Sequence, residues 1–136
     1  MVRINTINLI GRLTSEPILK FIPSSGTGVC NFTLAVDKGL SKQKKEEFSS
    51  QGKDTADFIP IIVFGKIAES CANYLAKGKK VAVMGSIQTR NYQNKDGNKV
   101  YITEVLANKV EFIDWQEPKQ SSDIFEPFDS DESMPF

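Results

Sequence analysis

Through most of this chain the apolar side chains recur at every second residue, and only between Lys66 and Lys77 does the interval lengthen to that of a helix. A chain with this period must build its core from strands, and one helical segment set among them leaves few compact arrangements. Ile7, Leu9 and Leu13 alternate in a first strand read from Ile4 to Leu13, with Gly11 between them and Asn8 and Arg12 on the other face. Ile18 to Ile22 is a short second strand, closed by the turn-forming Pro23-Ser24-Ser25-Gly26-Thr27-Gly28. Val29 to Val36 follows, with Cys30, Phe32, Leu34 and Val36 on one face.

Asp37 to Asp57 breaks the pattern. It is polar, carries Lys38, Lys42, Lys44, Lys45 and Lys53, and has only Leu40 and Phe48 as large apolar residues. Without a period it reads as a long functional or flexible loop, or as an extended hairpin. Phe58 to Phe64 is the most apolar run, with Ile59, Ile61 and Val63 on one parity and Phe58, Pro60, Ile62 and Phe64 on the other. Pro60 has no N–H, so this strand is expected at an edge or interrupted there. Ile67, Cys71, Tyr74 and Leu75 then mark the one helix read from the sequence, with Gly78 as its C-cap and Lys77, Lys79 and Lys80 favourable at that end. Val81 to Tyr92 and Val100 to Phe112 form a long hairpin around a tight turn at Asp96-Gly97.

This order predicts an all-β fold, a five-stranded Greek-key OB-fold barrel with one α-helix between strands 3 and 4. Ile18–Ile22 becomes part of a bent first hairpin, and a β-sandwich is the alternative. Residues 1–115 are expected to form the domain and residues 116–136 a disordered acidic tail. The charges divide at the same place. Residues 1–115 hold 16 Lys/Arg against 11 Asp/Glu, and residues 116–136 hold one Lys against six acids, so a neutral total conceals +5 beside −5.

Several functions are disfavoured by what the composition lacks. With no histidine, a Ser-His-Asp or Cys-His nucleophile cannot be assembled and the commonest zinc ligand is missing. Cys30 and Cys71 are far apart in sequence and are expected as buried free thiols, which excludes a CxxC redox or zinc motif. The tight acidic pairs, Glu46/Glu47 and Asp131/Glu132, fall in segments expected to be mobile, and no GxxxxGK[ST] loop is present, so an enzyme is not expected. No metal or cofactor is expected either. No apolar run reaches the length of a membrane span and the first residues show no apolar leader core, which reads as a soluble cytoplasmic protein.

A basic β domain without catalytic groups suits a single nucleic-acid strand, which offers phosphates to cations and base faces to aromatic rings. Phe58 and Phe64 share the face opposite the core triad, and Tyr92 shares a face with Gln88 and Arg90. With Lys66 and Arg90 beside them, these rings are the stacking candidates. Phe32 and Tyr74 are read as core. In the tail the acids Glu117, Asp123, Glu126, Asp129, Asp131 and Glu132 precede Met134-Pro135-Phe136. A solvating tail has no need of Met, Pro and Phe at its tip, and a carboxylate, a ring and flanking acids suit capture by a partner with a pocket and a basic rim.

The blocks Asn8-Leu9-Ile10-Gly11-Arg12-Leu13-Thr14 with Glu16-Pro17, Asn31-Phe32-Thr33-Leu34-Ala35-Val36, Phe64-Gly65-Lys66-Ile67-Ala68-Glu69 and Tyr74-Leu75-Ala76-Lys77-Gly78 carry a resemblance. Gln88-Thr89-Arg90-Asn91-Tyr92, Thr103-Glu104-Val105 and Met134-Pro135-Phe136 complete it. The sequence resembles the bacterial single-stranded DNA-binding proteins of the tetrameric OB-fold type over residues 1–113 and the last eight. The resemblance implies a homotetramer wrapped by single-stranded DNA, with Phe58, Phe64 and Tyr92 as base-stacking rings. It implies Lys66, Lys77 and Arg90 as phosphate contacts, and Arg12 and Lys38 join them as DNA-binding candidates. It implies that Asp129, Asp131, Glu132, Met134, Pro135 and Phe136 recruit replication, recombination and repair proteins. Where the family usually has another stacking aromatic this chain has Leu40, with Phe48 displaced into a lengthened loop; the linker from Trp115 to the tip is short. An OB-fold adaptor acting mainly through protein contacts, or a phage- or plasmid-encoded paralogue, is the alternative.

Overall fold

The computed structural model describes residues 2–115. Its elements are β1 (Ile7–Leu13), β2 (Ile18–Phe21), β3 (Gly28–Asp37), α1 (Lys42–Ser50), β4 (Ala56–Phe64), α2 (Lys66–Tyr74), β5 (Lys80–Gln93) and β6 (Lys99–Phe112). The strands lie side by side in the order β1-β5-β6-β4-β3-β2, and β3 also pairs back to β1 through Arg12↔Ala35 and Leu13↔Leu34. That last pairing closes a ring of five strands and leaves β2 outside it. β1 and β2 share one edge of β3, β1 against Leu34 and Ala35 and β2 against Gly28 to Asn31, which is the bent first hairpin. At the closure a side chain on Gly11 would put its Cβ 2.5 Å from the Ala35 carbonyl oxygen, so only glycine lets the two backbones meet. The lone parallel pairing joins β4 to β6 over Ile61–Val63. This is the five-stranded barrel expected, with α2 between the third and fourth strands of the ring.

Strand alternation fills the interior. Leu34, Ile61, Val63, Val81, Val83 and Val105 are sealed from solvent, each contributing roughly 1.5–3 kcal/mol through burial. α2 packs against the barrel with Ala68 and Cys71 buried, and Tyr74 brings its ring 6.0 Å from that of Phe112. Cys30 and Cys71 are buried thiols, and desolvation pushes the Cys71 thiol up to about 12, with Cys30 nearby adding to the shift. Pro60 meets its expectation. β4 pairs with β3 along its whole length but with β6 only over residues 61–63, so Pro60 lies where the second ladder has stopped.

β6 carries a change of parity. Val105 and Ala107 point inward, and so do Val110 and Phe112, because Met84 pairs with Lys109 while the next residue, Gly85, pairs with Ala107. Asn108 is the extra residue of a bulge, and the bulge keeps the apolar side inward as the strand bends around the barrel. Gly85 faces it, where a Cβ would fall 2.0 Å from the Leu106 carbonyl oxygen.

The structure departs from the sequence reading in two places. The expected loop between β3 and β4 contains a helix, α1, so the described residues form two helices. Ser41 caps it by accepting from the Lys44 N–H, and its Lys, Gln and Glu residues are good helix formers. It buries no residue, which is why no apolar period announced it. The other departure concerns α2, which ends at Tyr74 rather than running to Lys77. Leu75 takes extended backbone and is sealed in the core, and Gly78 belongs to the following turn, in which the Lys79 N–H donates to the Ala76 carbonyl. Burial of Leu75 overrides the continuation of the helix.

Candidate nucleic-acid interface

Residues paired across a ladder point to the same side, so the register assembles the barrel's outer face. One row runs Lys20, Val29, Phe64 across β2, β3 and β4. The next runs Ile18, Asn31, Ile62, Leu106, Ser86, reaching β6 and β5. Thr33 stands beside Pro60 on β3 and β4, and Glu104 stands beside Gln88 on β6 and β5. A further row runs Lys80, Arg12, Ala35, Phe58. Phe58 and Phe64 therefore stand on the same face of β4, six residues and roughly 20 Å apart. Their exposures are 52% and 43%, and Tyr92, further out along β5, is 48% exposed. Half-exposed rings on a strand face are open to stacking, whereas Phe32 on the opposite parity is in the core.

The cations divide into two groups. Lys66 is exposed at the start of α2, two residues after Phe64, and Lys77 is exposed in the turn before β5, its N–H donating to Glu16 Oε2. Arg12, Lys38, Lys45 and Arg90 have acidic partners. Arg12 Nη1 lies 3.2 Å from Asp114 Oδ2 and donates to the Gly78 carbonyl. Lys38 pairs with Asp57, the residue before Phe58 at the start of β4. Lys45 pairs with Asp37, whose carboxyl is held low by the Gly39 N–H and by Lys45.

Arg90 has the best-built partner. Its Nε donates to Glu104 Oε2 at 2.9 Å and its Nη2 to Oε1 at 3.5 Å, while Gln88 Nε2 donates to the same Oε2 at 2.7 Å. Glu104 is 4% exposed, and it is the one buried charged residue among those described. Burial works against its charge, but the hydrogen bonds from Arg90 and Gln88 and the Arg90 charge outweigh that and hold its carboxyl below the usual range. A depressed carboxyl keeps this pairing intact at neutral pH and loses it only as the pH falls through the depressed value.

Two members of the face were missed in the sequence. Lys20 stands in the Phe64 row, and the apolar, turn, apolar signature of Ile18 to Val29 was enough to place it across from Val29. Glu104 enters the sequence reading only within Thr103-Glu104-Val105, although an acid between apolar positions of a core strand is a signal in itself. Phe48 faces its own loop, with the Lys53 ammonium 5.5 Å from its ring centroid. Trp115 follows β6, outside the paired rows. Asp129, Asp131, Glu132, Met134, Pro135 and Phe136 lie outside the described residues. Among those described, no three His, Cys, Asp or Glu side chains gather to hold a metal ion, and no helix is long and apolar enough to cross a membrane.

A ring of five strands closed in this order, with a helix between the third and fourth and an open aromatic face, defines an OB-fold of the kind that carries nucleic-acid strands. The chain belongs to the Single-strand binding protein family, whose pattern matches residues 4–113. It is 50% identical over 128 residues to a single-stranded DNA-binding protein of Clostridium tetani, covering 93% of this chain and 83% of that one. Single-stranded DNA-binding protein 2 of Clostridium acetobutylicum is 54% identical over 82% of this chain and 77% of its own. A Staphylococcus aureus relative, single-stranded DNA-binding protein 1, is 46% identical over 88% and 70%.

Proposed function

We propose that this protein binds single-stranded DNA without reading its sequence, and that it is not an enzyme. The observation that carries this reading is the outer face on which Phe58 and Phe64 stand half exposed, with Tyr92 beyond them and Lys20 and Lys66 at the edge. Bases lie against the rings, at about 1–3 kcal/mol each, while cations follow the backbone. Membership of the family and the names of its relatives support the same ligand. In this reading residues 1–115 are the binding domain and residues 116–136 an acidic tail. Four copies associate around the DNA in the cytoplasm, and Asp129, Asp131, Glu132, Met134, Pro135 and Phe136 recruit replication, recombination and repair proteins.

A competition titration tests the ligand. Labelled oligo-dT should be displaced by unlabelled oligo-dT and not by equal duplex, and log affinity should fall with log salt at a slope near −0.7 per neutralised phosphate. Equal displacement by duplex would favour an adaptor that acts through protein contacts. Deleting residues 134–136 should abolish pull-down of replication and repair enzymes while leaving oligonucleotide affinity equal or higher. Undiminished recruitment by the shortened chain would remove the tip from the mechanism.

A further inference from the structure

A buried carboxylate on a face that meets a polyanion is out of place unless it serves another group. Glu104 lies on β6 directly across from Gln88, and Arg90, one position further out on the same face, reaches back diagonally to it. The two bonds from Nε and Nη2 engage the guanidinium along one edge, which fixes the orientation of its plane. Gln88 holds the carboxylate from the other side, so the acid cannot turn away. Arg90 itself remains half exposed beside Tyr92, and its paired position across the ladder is Ile102.

We infer that Glu104 is a positioning residue that holds Arg90 as a flat, charge-compensated platform, so that Arg90 offers a base its planar face rather than offering a phosphate its charge. The inference rests on the single-strand reading above and assigns Arg90 a different contact from the phosphate role expected of it. A guanidinium whose charge is met by a carboxylate 2.9 Å away has little left for a phosphate, whereas its plane stacks on bases as an aromatic ring does. The platform stands on β5 between Gln88 and Tyr92, on their parity. A lysine there would keep the charge and lose the plane.

The full chain and its Arg90→Lys, Arg90→Ala and Glu104→Gln variants should be titrated with labelled oligo-dT over a salt series, with thermal melts to confirm folding. Glu104→Gln is close in shape and keeps an oxygen to accept from Arg90, so the barrel should persist. Arg90→Lys and Arg90→Ala should both weaken binding, by about tenfold, with the salt slope unchanged. Glu104→Gln should steepen the slope by about 0.7, as one released cation takes up a phosphate. Wild-type affinity in Arg90→Lys, or a slope shallower by about 0.7 in Arg90→Ala, would show Arg90 acting as a phosphate clamp and overturn the inference alone. Wild-type protein that fails to prefer oligo-dT over duplex would instead overturn the single-strand reading beneath it.

Discussion

Replacing Phe58 and Tyr92 together with alanine should weaken oligo-dT binding by about 2–6 kcal/mol at fixed salt, with each single change giving about half. The rings stand on different strands and share no partner, so their effects should add. Both are about half exposed, so each substitution removes little buried area and the thermal midpoint should move by only a few degrees. The salt slope should stay as it is, since neither side chain is charged. Fluorescence anisotropy with labelled oligo-dT at two salt concentrations separates the contributions. Unchanged affinity in both single variants would falsify the stacking account.

The second large effect is on the barrel itself. Gly85→Ala should cost about 3 kcal/mol or more and lower the thermal midpoint by about 10 °C or more. Its Cβ would fall 2.0 Å from the Leu106 carbonyl oxygen and 2.9 Å from the Ala107 Cα, both backbone atoms of the bulge. Relief requires β5 and β6 to separate where Val83, Val105 and Ala107 meet in the core. Asn108→Ala removes an exposed side chain from the same bulge and should stay within about 0.5 kcal/mol of wild type. Equal melting of wild type and Gly85→Ala would mean that the bulge yields at no cost.

Strand faces were legible because alternation is a local property. Phe58 and Phe64 could be assigned to an open face from the parity of Ile59, Ile61 and Val63 alone, and the structure puts them there. The turn after Asn94 was equally local: Asn94 Oδ1 accepts from the Asp96 and Asn98 N–H groups. α1 was invisible for the complementary reason, since a helix that buries nothing has no period to display. The end of α2 was misread because Leu75 fits the helical spacing, and only the core position it fills shows that the chain has already turned. The bulge at Asn108 had a readable sign, the shift of apolar residues from Val105 and Ala107 to Val110 and Phe112. The charge pairing of the cations had none. Arg12 meets Asp114 across 102 positions and Arg90 meets Glu104 across 14, and neither distance follows from a count of lysines and acids.

The rows of the outer face draw their residues from all six strands, from Arg12 to Leu106. The row from Ile18 to Ser86 needs four ladders at once, and the row from Lys80 to Phe58 comes into being only when Arg12 meets Ala35 and the circle is complete. Occupancy of the surface and integrity of the barrel are thus a single equilibrium seen from two sides. Ligand at a hundredfold excess over its dissociation constant adds about 2.7 kcal/mol to the resistance of the native state to unfolding. A nascent or nicked chain, lacking one of its staves, has nothing with which to compete for the strand.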